Sequence, residues 1–279
     1  MQSAFCFGLA LVLTQFGLRR LAPMQGAAVS IPTTTLMLLA VAPVWFSLEG
    51  AEPGAALIFA GVGLFFPAAV TVLTFEANRR MGPNAAGTVG NLAPVFAVAA
   101  AVLLLGDRPG VAQTVGLAAI VAGVSLLSVD AKSSASGWPL WALAFPLAAA
   151  AVRGLIQPIV KIGLAEWPNP MAAITIGYCV SSVVVLVMFL LRIGRRPGGF
   201  SWPGIAWFAA VGVANGLAVL LLYVALARGP VSVVSPLVAS YPLFTLGLSA
   251  MVLRTVKVSP WLIGAVVLTV AGVVLLLGA

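Results

Sequence analysis

The chain has 279 residues, of which 62% are hydrophobic and 7% are charged, and it contains no histidine. A water-soluble protein of this length cannot bury so much apolar surface in one core, so the composition indicates a protein embedded in a lipid bilayer. The formal net charge of +8 comes without a basic patch interleaved with aromatic residues, which argues against nucleic-acid binding. Cys6 and Cys179 give neither a disulfide framework nor a metal-ligand spacing. We therefore expect no metal and no cofactor.

Ten segments are apolar enough to cross a bilayer, which takes about 20 residues in a helix. The first segment has neither a basic start nor a small-residue cleavage site, so we interpret it as a membrane helix rather than a signal peptide. The joining loops are short and leave no room for a soluble domain. We number the predicted spans 1 to 10 in chain order: 3–18, 24–46, 54–77, 83–104, 111–129, 138–160, 170–191, 203–226, 231–253 and 259–277.

The two halves of the chain repeat one another. Residues 82–127 and residues 229–277 both open with Gly-Pro, carry a proline in the middle of a span, and close on Val-Ala-Gly. Residues 132–137 form a polar linker between the halves. The pattern predicts an all-α integral membrane protein made of two five-helix repeats, residues 1–130 and residues 138–279.

Basic residues are unevenly shared among the connecting loops. Ten of them flank the odd-numbered connections, whereas only Arg108 and Arg228 flank the even-numbered ones. The positive-inside rule therefore predicts cytoplasmic odd-numbered loops and both termini outside, in a bacterial-type plasma (inner) membrane. Because each half has five spans, the second half enters the membrane from the opposite side, and the repeat is inverted.

Residues 87–127 and residues 225–277 resemble the EamA-type branch of the drug/metabolite transporter superfamily, and the likeness extends over nearly the whole chain. The resemblance implies secondary transport, usually export, of small metabolites such as amino acids. It also implies a central cavity lined by spans 1–4 and 6–9, with spans 5 and 10 at the periphery. Two features depart from the family: the second half lacks an acidic residue equivalent to Asp107, and ten-helix members are usually drawn with cytoplasmic termini.

Span 6 carries two cations within an apolar segment, where an ionisable group tends to face a cavity or a partner. Arg153, Gln157 and Lys161 follow an i, i+4, i+8 spacing, so that each step drifts by only about 40° around a helix. Pro158 frees a backbone carbonyl beside them. The functional hypothesis is a stripe that binds a carboxylate or phosphate. In the alternative, Arg153 caps a loop or reaches toward water, and Lys161 extends to the far interface.

The first half has no matching charges. When the halves are aligned on the glycine near the end of spans 1 and 6, Phe7, Leu11 and Gln15 take the places of the stripe. The predicted cavity is therefore electrically one-sided, and Gln15 is the one polar counterpart. We include Gln15 among the candidate substrate-binding residues.

Glu76 is the one carboxylate placed within a predicted span. A group that changes protonation is what proton-coupled export requires, and partial burial raises the pKa of a carboxyl group. Glu76 is therefore the proton-coupling candidate. The alternative is a local ion pair with Arg79 or Arg80, one turn away on the same helix.

Tyr223, Tyr241 and Asn91 complete the candidate substrate-binding set. A tyrosine or amide inside a membrane bundle needs a hydrogen-bond partner, which is either the substrate or a neighbouring helix. Three prolines in spans 4 and 9 are candidate hinges, because each removes a backbone hydrogen bond where a helix then bends. The alternative is a static kink. These prolines are Pro94, Pro236 and Pro242.

Together these features predict a secondary transporter that exports small organic metabolites, such as amino acids or other carboxylate-bearing solutes, by alternating access. We expect it to work in the lipid bilayer as a monomer or a homodimer. The alternative function is a flippase for a phosphate-headed lipid, which the same cations would serve. A membrane-embedded enzyme is disfavoured, because the spans lack general acid–base groups.

Overall fold

The computed structural model describes residues 1–45, 49–81, 89–128, 139–193, 199–253 and 260–278. All regular secondary structure in these residues is helical, with a short 3-10 helix over Leu140–Leu143. The linker at 132–137, the start of predicted span 4 and several loop cations (Lys132, Arg195, Arg196, Arg254 and Lys257) lie outside the described residues. The α-helices are α1 Gln2–Leu18, α2 Pro23–Trp45, α3 Pro53–Phe65, α4 Ala68–Met81, α5 Ala93–Leu105, α6 Val111–Ser128, α7 Ala144–Glu166, α8 Pro170–Ile193, α9 Trp202–Arg228, α10 Val231–Val238, α11 Tyr241–Leu253 and α12 Pro260–Leu277.

Six helical stretches in the described residues are long and apolar enough to cross a bilayer: Pro23–Pro43, Pro53–Thr74, Leu140–Glu166, Pro170–Leu191, Trp202–Arg228 and Val231–Met251. They fall in predicted spans 2, 3, 6, 7, 8 and 9. Four shorter apolar helices lie in predicted spans 1, 4, 5 and 10: Gln2–Leu18, Ala93–Leu105, Val111–Leu126 and Ile263–Leu277. The helical membrane fold is confirmed, and the count of ten spans stays a prediction.

Predicted span 3 corresponds to the apolar stretch Pro53–Thr74, but regular helix is interrupted within it. The helix ends at Phe65, and Phe66 takes an extended conformation with φ of −124° and ψ of 129°. Helix α4 then begins at Ala68, whose N–H donates to the Ser181 hydroxyl of α8 at 3.1 Å. Inside a bilayer no water is present to satisfy a freed backbone group, so a neighbouring helix must do so.

Spans 4 and 9 are interrupted at equivalent points. Regular helix stops at residues 91–92 and at residues 239–240, and it resumes with α5 and α11. Pro94 and Pro242 are the second residues of these helices, so the prediction that they lie inside continuous helices was wrong. In the first turn a proline loses no intrahelical hydrogen bond, and it marks the restart of the helix. Pro236, by contrast, lies inside α10.

The two halves interlock through matching helix contacts. Helix α1 packs on α9 and α11 of the other half, and α7 packs correspondingly on α3, α4 and α5. Helix α2 packs on α8 and α9, and α8 packs on α3. The main buried cluster lies among these helices and includes Leu38, Phe59, Ile174 and Leu226.

Helices α6 and α12 pack on one another and form a separate buried cluster with residues such as Ile120 and Val273. A Cβ atom on Gly123 would lie 2.7 Å from the Thr269 backbone nitrogen, and one on Gly272 would lie 2.8 Å from the Gly116 carbonyl oxygen. These separations are far below van der Waals contact. Only glycine therefore allows the two helices to approach so closely, and Gly123 and Gly272 are the glycines of the repeated Val-Ala-Gly ending.

We expect Gly123→Ala to lower the thermal unfolding temperature in detergent, because overpacking a close helix contact costs about 1–3 kcal/mol. Gly264→Ala on α12 is the matched control, since a Cβ atom there meets nothing within 4 Å. The control should leave the unfolding temperature unchanged or raise it slightly. Equal unfolding temperatures for the two variants would contradict the glycine contact.

Candidate functional site

A cavity of about 280 Å³ lies at the centre of the bundle. Its described lining comes from α1, α2, α4, α5 and α7 to α11, together with the breaks beside them. No described residue of α6 or α12 lines it. This distribution agrees with the expectation that spans 1–4 and 6–9 surround the cavity. The volume is close to the lower end of the range for small-molecule pockets, about 300–1,000 Å³.

Arg153 and Gln157 project from one face of α7 into this cavity wall. Arg153 is half-buried, and no described residue forms a hydrogen bond or ion pair with its guanidinium group. The Gln157 side chain is 7% exposed, and its Oε1 atom is buried without a partner among the described residues. The predicted i, i+4 spacing therefore brings a cation and an amide to one cavity.

Lys161 is one turn further along α7 but is not among the residues that line the cavity. Its ammonium group donates to the carbonyl oxygens of Leu226, at 3.0 Å, and of Gly229. These are carbonyls at the C-terminal end of α9, which have no intrahelical partner and favour a nearby cation. The stripe thus divides into two residues at the cavity and one residue that caps a helix. A substrate-binding role for Lys161 stays a prediction.

Arg153 is the one charged side chain among the described residues that line the cavity. The rest of the described lining is apolar apart from hydroxyl and amide groups on several helices. The site is therefore cationic. The described residues contain no group of three or more Cys, Asp or Glu side chains that could hold a metal ion.

Three tyrosines reach the cavity. Tyr223 is 4% exposed and lines it. Tyr178, which is not among the residues predicted from the sequence, is also 4% exposed and lines it. Tyr241 also lines it and is half-buried. The ring of Tyr241 lies 6.2 Å from that of Phe7, the residue that aligns with Arg153. The cavity therefore has aromatic residues in its wall, which suits both predicted roles of the tyrosines, substrate contact and packing.

Asn91 lines the cavity at the interruption before α5. Its side-chain amide donates to the Val124 carbonyl oxygen of α6 at 3.3 Å. The alternative role as an interhelical contact therefore has a bond to support it. A substrate-binding role for Asn91 stays a prediction.

Gln15 and Glu76 do not line the cavity. Gln15 is exposed. Glu76 forms an ion pair with Arg80 on the same helix, as the alternative interpretation expected. The Arg80 guanidinium carbon also lies 4.3 Å from the Trp141 ring centre and 5.0 Å from that of Phe145. This cluster joins α4 to the start of α7.

Among the candidate hinges, Pro94 lines the cavity, whereas Pro236 is buried outside its lining and Pro242 also lies outside it. The cavity also touches Phe66 and Pro67 at the break of span 3, and Ala239 at the break of span 9. All three helix breaks therefore border one cavity. Their bending during transport stays a prediction.

Sequence reasoning missed Ser235. This residue lines the cavity from α10, is 2% exposed, and has a buried hydroxyl oxygen with no partner among the described residues. The adjacent Pro236 indicated a hinge, and the two serines of this short apolar helix give no signal of their own. Only the meeting of α10 with α7 brings Ser235 to the same cavity as Gln157.

Comparison with known proteins places the chain in a family. The profile of the EamA-like transporter family matches residues 1–129 and again residues 140–278. The chloroplastic phosphoenolpyruvate/phosphate translocator 1 of Arabidopsis thaliana is 33% identical over 106 residues, which are 38% of this chain and only 26% of that protein. A solved protein crystal structure shares the fold with a TM-score of 0.80 at 18% identity, over 98% of this chain and 93% of its own.

The family profile covers both halves of the chain, and the helices are apolar enough for a bilayer. Members of this family are transporters. The chain is therefore an integral membrane protein that belongs to the EamA-like transporter family of the drug/metabolite transporter superfamily.

Proposed function

We propose that the protein is a secondary transporter that exports small organic metabolites bearing a carboxylate, such as amino acids, by alternating access. The observation that carries the proposal is the Arg153 guanidinium group, which lines the central cavity and has no described partner. The substrate-binding set around it is Gln157, Tyr223, Tyr241 and Asn91. Lys161 and Gln15 lie outside the cavity lining, and their predicted role in substrate binding stays a prediction.

A cation inside a membrane protein carries a free-energy cost. Placing a charged residue at the centre of a membrane helix costs about 2.5–3.5 kcal/mol on insertion scales. A buried charge is stabilised when an opposite charge and hydrogen bonds meet it. Arg153 presents a planar guanidinium group that binds a carboxylate or phosphate through two hydrogen bonds. Binding of an anionic solute would therefore offset the free-energy cost of burying the unpaired Arg153 guanidinium group.

The local likeness to a phosphoenolpyruvate/phosphate translocator supports an anionic substrate. The cavity volume of about 280 Å³ suits a small solute. We keep lipid flipping as the alternative, and it requires a groove that opens toward the bilayer. The described lining from both halves favours the solute.

Alternating access requires a frame that rearranges around a fixed site. The contacts of α1 with α9 and α11 match those of α7 with α3, α4 and α5, and the family profile matches the chain twice. Both observations support two repeats, residues 1–130 and 138–279, in inverted orientation. The breaks beside Pro94 and Pro242 are the points where we propose that the helices bend, with Pro236 as a third.

The proposed orientation follows from the loop cations. Odd-numbered loops face the cytoplasm of a bacterial-type inner membrane, and both termini face outside. With this orientation, export carries the solute toward the side of the even-numbered loops. The proposed transporter works as a monomer or a homodimer. Proton coupling through Glu76 belongs to the proposal as one of two modes, the other being facilitated diffusion.

We expect Arg153→Gln to weaken binding and uptake of carboxylate solutes by about 10- to 100-fold in proteoliposomes, because hydrogen bonds to a charged group are worth about 1.5–3 kcal/mol. Arg108→Gln is the control, since Arg108 is exposed outside the cavity. It should leave uptake unchanged. Equal uptake by the Arg153 variant and the wild type would contradict the cationic site.

Lys161→Met tests whether Lys161 acts on the helix end or on the substrate. We expect the thermal unfolding temperature to fall, because two charge-assisted hydrogen bonds to the end of α9 are lost, at about 1–3 kcal/mol in total. Carboxylate affinity should persist. Arg228→Met is the control, because it removes an exposed cation from the same helix end. An unchanged unfolding temperature with lost affinity would assign Lys161 to the substrate instead.

Glu76→Gln separates an ion pair from a proton-coupling group. We expect the effect of a pH gradient on uptake to be the same in this variant as in the wild type, because the carboxylate is engaged by Arg80 outside the cavity. The unfolding temperature should fall slightly, since such a pair is worth up to about 1 kcal/mol. Arg80→Gln breaks the same ion pair and serves as the reference. Loss of the pH response in the Glu76 variant alone would establish proton coupling through this residue.

A further inference from the structure

We infer that Gln157 and Ser235 form a second recognition point, which selects solutes that carry a hydroxyl or ammonium group beside the anionic group held by Arg153. The inference rests on the proposed function, because it assumes that Arg153 binds the anion. It adds a determinant of specificity within the same cavity, and it assigns a role to Ser235.

A buried polar atom without a hydrogen-bond partner distinguishes these two side chains from the other described polar groups that line the cavity. Gln157 is 7% exposed and Ser235 is 2% exposed, and both line the cavity. Gln157 Oε1 and Ser235 Oγ are buried without a hydrogen-bond partner among the described residues. Buried polar atoms are nearly always satisfied in native proteins, so a pair of unsatisfied ones at one cavity needs an explanation. A polar group of the solute supplies the missing bonds once each side chain turns its polar atom toward the cavity.

Other cavity hydroxyls lack this property. The Thr14 hydroxyl donates to the Ala10 carbonyl oxygen at 2.7 Å, and the Thr71 hydroxyl donates to that of Pro67 at 2.8 Å. Both threonines line the cavity, but each already bonds to its own chain segment. They have less to gain from a ligand than Ser235 has.

The positions allow one small molecule to meet all three groups. Gln157 lies one turn from Arg153 on α7, which is roughly 6 Å along the helix axis. Ser235 belongs to α10, which packs against α7. The long arginine side chain covers the axial separation, so a carboxylate and a polar group on the adjacent carbon lie within reach of the same site.

The chemistry of these groups sets what they select. A serine hydroxyl both donates and accepts a hydrogen bond, and an amide does so through its two ends. An unsubstituted carbon chain beside a carboxylate leaves both unsatisfied, whereas a hydroxyl or an ammonium group on that carbon bonds to them. Sites built to bond a substrate polar group reject the analogue that lacks it far more strongly than apolar pockets reject a change of size.

The test uses matched carboxylates on the purified full chain in detergent, with affinities from calorimetry. The trios are propionate, lactate and alanine; succinate, malate and aspartate; and 3-phenylpropionate, 3-phenyllactate and phenylalanine. We expect the hydroxyl or ammonium member of at least one trio to bind about 10- to 100-fold more tightly than its unsubstituted member. The comparison of the two substituted members shows which donor the site accepts.

Ser235→Ala should reduce that preference about tenfold while leaving the affinity for the unsubstituted acid unchanged. Gln157→Leu should also reduce the preference about tenfold. Because Ser235 Oγ has no described partner, its loss should not lower the unfolding temperature, whereas a merely structural serine would. Thr14→Val is the control in the same cavity and should keep the preference.

Two negative results are distinguishable. If carboxylates bind through Arg153 but the preference is absent or survives both substitutions, the recognition point is refuted and the cationic site stands. If none of the nine compounds binds, or if all bind equally to Arg153→Gln, the proposed function and this inference both fail.

Discussion

Backbone hydrogen bonding in the absence of water is the constraint on which this structure depends. A helix in a bilayer satisfies its own N–H and C=O groups, so any break must be repaired by protein or must border a cavity. The break of span 3 does both, and the other two breaks border the cavity. The Ala68 N–H donates to Ser181 of a neighbouring helix, and residues at all three breaks line the central cavity. The non-helical segments at the three breaks therefore lie beside the central cavity.

The two halves share a helix arrangement but differ in the residues with which they line the cavity. Phe7 and Leu11 line the cavity from α1, and their counterparts Arg153 and Gln157 line it from α7. Equivalent positions thus reach one space from opposite sides. The repeated architecture sets the shape, and the unmatched residues set the charge. Evolution of a new preference in such a frame needs a change at only one of two equivalent positions.

Periodicity and hydropathy were sufficient to predict the helices and the common face of Arg153 and Gln157, because these follow from local geometry and from the lipid environment. The peripheral position of α6 and α12 was predicted from the family resemblance. The hydrogen-bond partners of Lys161 could not be predicted from the sequence. Its position on the stripe was right, but its partners at the end of α9 lie 65 and 68 residues further along the chain. Ser235 was missed for the same reason, since only the tertiary packing of α10 on α7 brings it to the cavity.

The unpaired Arg153 also has an electrical consequence. With a monoanion bound, the cavity is neutral, and without it the cavity carries one positive charge. A membrane potential acts on a charge with about 2.3 kcal/mol per 100 mV across the full bilayer. In the proposed cycle with a monoanionic solute, an interior-negative potential would therefore act chiefly on the unloaded carrier and would favour the state in which its site faces the cytoplasm. In an exporter this is the state that collects the next solute, so the voltage would assist the return step rather than the loaded one.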